Sequence, residues 1–320
     1  MTTKIVCLTG FLGFIGKHLL KLLLAQGYRV YGIDSVTYAA DESVLDDHKV
    51  IEAGERGYFR WERSDILRLS RLPDIDVLIH LAAETHVDNS ILDSTQFVQT
   101  NVLGTQRLLE LIRAKRGYEM PRVLHISTDE VYGDVPTGAS RETDILLPSS
   151  PYAASKAAAD HLVMSYGRTY GIDWTILRPS NCYGPGQYHE KLIPKTIRHL
   201  ELGRIVPIHA TGEMERFWLH VEDCAQAILT VLEWGKPGEV YNVGGDTAAT
   251  VKEVVVHLID LVKPGADPEP LRASHYQRAG VDQRYHVDDT KLRALGWAPI
   301  HRLWDDLPLV VEQECAIFRW

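Results

Sequence analysis

Thr128-Asp129-Glu130 places a hydroxyl and two carboxyls at one point of this 320-residue chain. Two carboxyls in one site push their pKa values apart, which separates an acid from a base. Tyr152 and Lys156 follow, spaced so that a helix presents both on one face. A lysine cation beside a phenol favours the phenolate and brings its pKa down from about 10, toward a usable base. Taken singly, these features are weak. An Asp-Glu pair is most often a solvated loop charge, and a Tyr-x-x-x-Lys pair is most often surface decoration. Their weight comes from the elements that must position them.

Arg122 to Ser127 reads as a β-branched, apolar strand after Pro121, so the hydroxyl and carboxyls stand at its end. In a parallel α/β sheet, ligands gather at the carboxyl ends of the strands. Such a sheet begins at Lys4–Thr9 and runs into Gly10-Phe11-Leu12-Gly13-Phe14-Ile15-Gly16. A helix from Phe14 to about Gln26 and a strand Arg29–Asp34 follow. Glycines let a backbone approach a pyrophosphate, and a helix N-terminus supplies amide donors with a favourable dipole. Asp34 falls about 20 residues beyond the loop, as expected of an acid that hydrogen-bonds a ribose 2′-hydroxyl. It would repel a 2′-phosphate, so the order of elements favours NAD over NADP.

The rest of the sheet is read from Tyr58–Glu62, Asp76–Leu81 and Trp174–Arg178. Asp65-Ile66 follows the first of these, near an adenine or as a turn cap, and Ala82-Ala83 follows the second, small enough for a close cofactor. Helices are expected over Glu42–His48, Phe97–Lys115 (bearing Thr100-Asn101), Tyr152–Tyr170, Leu192–Leu202, Glu222–Trp234, Val251–Val262 and from Leu307 onward. Pro179 to Gly186 is a Pro/Gly-rich crossing. The fold expected is α/β: a Rossmann-type doubly wound parallel sheet with a smaller mixed α/β C-terminal part. Residues 1–178 form the NAD-binding domain, joined by about 214–243, and 179–320 form an interleaved second domain.

A net charge of −9 with no strongly basic segment argues against a nucleic-acid binder. Cys7, Cys182, Cys224 and Cys315 show no CxxC or disulfide-framework spacing, so a reduced cytoplasmic compartment and no metal are expected. The N-terminus enters a strand directly, which predicts no signal peptide, and no apolar run approaches the roughly 20 residues of a membrane span.

Together the motifs resemble the extended short-chain dehydrogenase/reductases, and among them the dTDP-glucose 4,6-dehydratase type. The resemblance rests on the glycine loop and on Asp34…Thr37-Tyr38-Ala39. It continues through Leu81-Ala82-Ala83-Glu84-Thr85-His86-Val87-Asp88, Ser127 to Gly133 and Ser150 to Lys156. Asn181…Tyr183-Gly184-Pro185, Glu190 to Pro194 and Tyr241 to Gly245 complete it. It implies that Tyr152, lowered by Lys156, removes the sugar C4 hydroxyl proton while hydride passes to NAD, with Thr128 orienting that hydroxyl. Glu130 would then abstract the C5 proton, Asp129 would protonate the departing C6 hydroxyl, and hydride would return to C6. It also implies NAD contacts from Gly10, Gly13, Phe14, Ile15, Gly16, Asp34, Ser35, Thr37, Asp65, Ile66, Leu81, Ala82, Ala83, Thr100, Tyr152 and Lys156. The sugar nucleotide would be held by Thr85, Asn181, Lys191, Leu192, Pro207, His209, Arg216, Asn242 and Arg278, the arginines on its diphosphate.

The chain departs from the family pattern at Cys182, His209, Ala210-Thr211-Gly212, Phe217 and Gln277 to Val281. Most of these lie in the nucleotide-holding half, so the base, thymine or uracil, stays open. The rivals are a UDP-glucose dehydratase, an epimerase or decarboxylase of the same fold, and a non-catalytic NAD-binding regulator. Asp129-Glu130 argues against the epimerase, and the intact Tyr152–Lys156 pair against the regulator. Second apolar faces on Phe97–Lys115 and Tyr152–Tyr170 suggest a homodimer through a four-helix bundle.

Overall fold

The computed structural model describes residues 4–115, 120–269, 272–275 and 280–317, with 272–275 described by backbone alone. Its twelve strands are β1 (Ile5–Thr9), β2 (Arg29–Asp34), β3 (Phe59–Arg63), β4 (Val77–His80), β5 (Arg122–Ile126) and β6 (Trp174–Pro179), then β7 (Asn181–Tyr183), β8 (Val206–His209), β9 (Glu215–His220), β10 (Glu239–Val243), β11 (Thr247–Thr250) and β12 (Arg272–His275). Seven form one sheet in the order β10-β6-β5-β4-β1-β2-β3. Every pairing in it is parallel. The order reverses between β1 and β4, and that switch point opens the crevice in which a doubly wound sheet holds its ligand. The run Val77-Leu78-Ile79-His80 is buried on both faces, as a covered parallel sheet requires.

The helix Phe14–Ala25 packs beside Val221–Trp234 on one face of the sheet, over Leu8, Leu19, Leu23, Ile228 and Leu232. Gly104–Arg113 and Pro151–Tyr170 cover the other, over Cys7, Leu78, Leu108, Ile112, Val163 and Ile176. The expected Phe97–Lys115 helix is interrupted: Val98–Leu103 is a π turn between Thr95–Phe97 and Gly104–Arg113. A wide turn of this kind marks a local demand that a regular helix does not meet, and here it is the seating of Asn101 described below. The Glu42–His48 helix is a 3₁₀ turn, Glu42–Asp46, followed by a helix His48–Glu55. The last helix starts a turn earlier than expected, at Leu303. A further short helix, Val87–Leu92, was not anticipated.

After β6 the chain leaves the large sheet. β7 lies parallel to β9, and β9 pairs antiparallel with β11 in a three-stranded sheet, while β8 and β12 make a parallel pair. A separate core of Tyr183, Ile193, Trp218, Leu258 and Leu307 fills this part. The chain returns to the large sheet as β10, beside β6. Lys17 ties the two parts: its ammonium donates to Asp41 Oδ2 at 2.5 Å and to the Gly186 carbonyl at 2.8 Å. Among the described residues, no helix is long and apolar enough to cross a membrane.

Candidate active site

The glycine loop turns at the carboxyl end of β1. Gly10 has φ +71°, and a Cβ there would lie 2.7 Å from the Ala82 nitrogen. A Cβ on Gly16 would lie 2.1 Å from the Gly10 carbonyl oxygen. These two glycines therefore hold the first turn of the helix against the strand ends. Gly13 is the helix N-cap and brings no side chain to the first-turn amides, so those donors face outward as an anion cradle. Phe14 and Ile15 open the helix, half-buried. Asp34 ends β2, buried: Oδ2 accepts from the Leu12 amide at 3.0 Å and Oδ1 from the Val36 amide at 2.8 Å. Burial pushes its pKa up, and the two amides pull it back. Val36 sits at φ +56°, a strained conformation for a β-branched residue, between exposed Ser35 and Thr37.

Leu81, Ala82 and Ala83 leave β4 directly opposite; the Leu81 amide donates to the Thr9 carbonyl at 3.2 Å and the Ala82 amide to the Thr9 hydroxyl at 3.3 Å. Asp65 realises its cap reading, with Oδ1 accepting from the Leu67 amide at 2.9 Å, and Ile66 is buried behind it. Thr100 lies partly buried in the π turn. The bare glycine cradle, the uncapped helix end and the acid stand at the neighbouring ends of β1 and β2, and they fit a dinucleotide.

Thr128, Asp129 and Glu130 stand just past β5, and Thr128 caps the 3₁₀ turn Asp129–Tyr132 by accepting from the Glu130 amide at 3.3 Å. Asp129 is buried. Its Oδ1 accepts from the Thr128 hydroxyl at 3.4 Å, and its Oδ2 has no partner among the described residues. Burial, and next the charge of Glu130, raise its pKa to about 8, against a lowering by Arg216. Asp129 is therefore a neutral acid at pH 7, beside a second carboxyl.

Tyr152 and Lys156 lie on the inner face of the Pro151–Tyr170 helix, which Ser150 caps by accepting from the Ala153 amide at 3.1 Å. The expected lowering of Tyr152 by Lys156 is not seen. Burial and the Glu130 charge hold the phenol above its ordinary value, while a hydrogen bond with Thr128 pulls it back. Lys156 donates instead to the Ile126 carbonyl at 2.6 Å. Its own pKa falls to about 8 because it is buried. Helical spacing brings the pair to one site, and burial is the largest influence on each group there.

On the other wall, Thr85 accepts at its carbonyl from Lys191 at 3.0 Å, and Leu192 starts the helix Leu192–Glu201. Asn181 Oδ1 is buried without a partner. Pro207 and His209 sit in β8, His209 3.6 Å from Asp88. Arg216 is buried and donates to the carbonyls of Glu215 at 2.8 Å, Asp282 at 3.0 Å and Gln283 at 3.4 Å, its guanidinium 4.1 Å from the Tyr285 ring centroid. Asn242 differs from its expectation. It is wholly inside, accepting from Tyr132 at 2.8 Å and donating to the carbonyls of Ser140 and Asp288 at 3.0 and 3.2 Å. It braces the site's wall because its amide is committed to the chain. Arg278 lies outside the described residues.

Residue reading also named Asn101 without a role. Its Oδ1 accepts from the Glu84 amide at 2.9 Å, and its Nδ2 donates to the Glu84 carbonyl at 3.0 Å and to Ser155 at 2.8 Å. It locks the loop after β4 to the Tyr152 helix. Asp160 was not singled out, and Arg178 and Tyr132 stood only within the strand Trp174–Arg178 and the Ser127–Gly133 stretch, without a role. The only hint was charge inside an apolar strand and on a helix's inner face, one helical turn past Lys156.

A model of the NAD dependent epimerase/dehydratase family matches residues 6–244. A dTDP-glucose 4,6-dehydratase of Haemophilus influenzae is 41% identical over 92% of this chain and 93% of its own. The crystal structure of DesIV, a dTDP-glucose 4,6-dehydratase from Streptomyces venezuelae with NAD and TYD bound, superposes with a TM-score of 0.89 at 37% identity, covering 98% of this chain and 97% of that one. A UDP-glucuronic acid 4-epimerase from Bacillus cereus, in complex with UDP-glucuronic acid and NAD, reaches the same TM-score, 0.89, at 28% identity over 98% of this chain and 100% of that one. Backbone shape therefore does not separate dehydratase from epimerase, and the side chains must. On the matched span and on these relatives together, the chain belongs to the NAD dependent epimerase/dehydratase family.

Proposed function

We propose that the protein is a hydro-lyase that converts an NDP-hexose, dTDP-glucose first, to the 4-keto-6-deoxy sugar. The single observation that carries this reading is the pair of adjacent carboxyls past β5: Asp129, raised to about 8 by burial and by the charge of Glu130, with Glu130 beside it. An epimerase needs only one proton-transfer group at C4. Elimination across C5 and C6 needs a base and an acid together. NAD, held by the glycine cradle and Asp34, supplies a hydride acceptor that later gives the hydride back. The chain's own residues move the protons. Tyr152, positioned by Thr128, must be brought to the phenolate against its burial, which the Lys156 charge favours, to take the C4 hydroxyl proton; Glu130 takes the C5 proton and returns one there as hydride reaches C6; Asp129 gives its proton to the leaving C6 hydroxyl. Lys156 holds positive charge beneath the phenol. Thr85, Asn181, Lys191 and Arg216 line the sugar-nucleotide side.

The second reading is the same chemistry on UDP-glucose. It draws on the nucleotide-holding half, where His209 stands in β8 and Phe217 stacks on His286 at 3.7 Å. The division of labour is residues 1–178 with about 214–243 for NAD, and 179–320 for the sugar nucleotide. A cytoplasmic homodimer through Phe97–Lys115 and Tyr152–Tyr170 completes the reading, supported by Val98 and Leu103, apolar yet 47% and 45% exposed.

The test is incubation of the purified protein with dTDP-glucose and UDP-glucose separately, read by product mass. Loss of one water from dTDP-glucose is expected. Loss only from UDP-glucose selects the second reading. Unchanged mass with an inverted C4 selects the epimerase, and no reaction with either sinks the lyase.

A further inference from the structure

Behind the Tyr152–Lys156 pair lies a buried set of charges that the reaction above does not use. Asp160 follows Lys156 by one helical turn, so Tyr152, Lys156 and Asp160 form a single stripe down the inner face of their helix. All three are buried, Asp160 with 0% exposure. The Arg178 side chain rises from β6 to meet it: Nε donates to Asp160 Oδ2 at 3.0 Å. Arg178 is 1% exposed and is itself held, donating to the Tyr132 hydroxyl at 2.7 Å, with the guanidinium 4.9 Å from that ring's centroid. Tyr132 donates in turn to Asn242. A buried ion pair alone is weak evidence for stability, because its desolvation offsets its attraction. This pair has a third charge beside it.

We propose that Asp160, clamped by Arg178, is a positioning residue: the buried counter-ion that keeps Lys156 a cation beneath Tyr152. The groups packed around Lys156 leave the task to Asp160. From its own helix come Tyr152 and Asp160. From β4 comes His80, held neutral by burial and by the lysine's charge, its ring hydrogen-bonded with Thr9 at 2.8 Å and Thr105 at 3.0 Å. From β5 comes His125, which burial and the surrounding cations also keep neutral, 3.5 Å from Asp160 Oδ1. From β6 comes Arg178, a cation that by itself would push Lys156 toward the amine. Burial lowers Lys156, and Asp160 acts in the opposite sense. Burial raises the pKa of Asp160, and Arg178 acts against that rise.

The inference rests on Lys156 serving Tyr152, but its test needs no substrate. The ε-carbon resonance of Lys156, assigned by its loss in Lys156→Met, is followed against pH in labelled protein. In the wild type it should titrate near 8; titration below about 6, the range of unassisted buried lysines, overturns the proposal. In Asp160→Asn the titration should move down by at least about one pH unit. Catalysis should follow, with kcat falling about tenfold relative to wild type near pH 8.5 and by less than about twofold near pH 6.5. Asp160→Glu, which restores the charge, should recover most of the shift. A variant with lowered melting temperature but an unmoved Lys156 titration shows a purely structural bridge and overturns the proposal. If Asp160→Asn does not fold, Arg178→Met puts the same question, because Asp160 then takes up a proton and Lys156 should shift the same way. A protein that turns over no NDP-hexose yet titrates as described loses the proposed function and keeps this inference.

Discussion

At the scale of single residues, the proposed elimination asks two adjacent carboxyls to be unlike. Asp129 stays protonated up to about pH 8 because it is buried beside the negative charge of Glu130. Replacing Glu130 by Gln should drop turnover by roughly 10²–10⁴-fold while C4 oxidation continues. The reduced-nicotinamide absorbance would then rise with no loss of water from the sugar, and full turnover would refute the assignment. Asp129 also leaves a mark on stability. Its pKa is higher folded than unfolded, so the native state binds more protons between about pH 4 and pH 8. Its contribution therefore opposes folding increasingly as pH rises through that window. Asp129→Asn should melt higher than the wild type near pH 8.5, by at least about 1 kcal/mol of stability, with the gap closing toward pH 5. Equal melting profiles across that range would contradict it. The groups of the proposed chemistry could be named from the sequence because their types and spacing suggest it. The environment was not: spacing places Lys156 under Tyr152, but only packing reveals that both are desolvated. Asp160 and Arg178 are 18 residues apart on different elements, and their meeting is a fact of the sheet.

At the scale of elements, two devices hold the cofactor crevice. Gly16 lets the first helix close on the loop, and Gly16→Ala would press a Cβ against the Gly10 carbonyl. The expected outcome is loss of bound NAD on purification, read from the absorbance of the released nucleotide. Retention at full stoichiometry would show that the loop can give. The second device is Asn101, which links the loop after β4 to the catalytic helix through three hydrogen bonds. Asn101→Ala should cost about 1–3 kcal/mol, since it strands part-buried backbone groups of Glu84; denaturant midpoints measure it, and a change below about 0.5 kcal/mol would demote the link. The strand, loop, helix, strand and acid at the N-terminus were readable almost to the residue, because apolar runs, glycines and the terminal acid mark each boundary. The π turn was not. Val98 to Leu103 has no glycine or proline to mark a break, and the widening answers Asn101's partners at Glu84 and Ser155, which lie far off in the chain.

At the scale of the molecule, the sheet order β10-β6-β5-β4-β1-β2-β3 places the cofactor crevice and the Thr128–Glu130 turn on the same edge. The dimer belongs to this scale. Light scattering should give twice the 36.1 kDa chain mass, and charging the exposed patch with Val98→Glu and Leu103→Glu should return a monomer. A wild-type monomer at micromolar concentration would remove the four-helix bundle. The second half was less legible than the first. Its strands are short, and its pairings, β7 with β9 and β8 with β12, join segments whose partners no local pattern announces.

The return of the chain to the large sheet as β10 also constrains how the protein can be made. While residues 179–238 are being synthesised, β6 is an uncovered edge whose Thr175-Ile176-Leu177 backbone has no neighbour on one side. Strand edges of that kind are templates for pairing with other chains. The nucleotide-binding half therefore cannot be finished, stored or transplanted as a separable module. Its last strand arrives only after the segment between β6 and β10 has been made. An attempt to recombine this enzyme with a relative would have to cut on both sides of that segment, with junctions near 179 and 239, and never once in the middle.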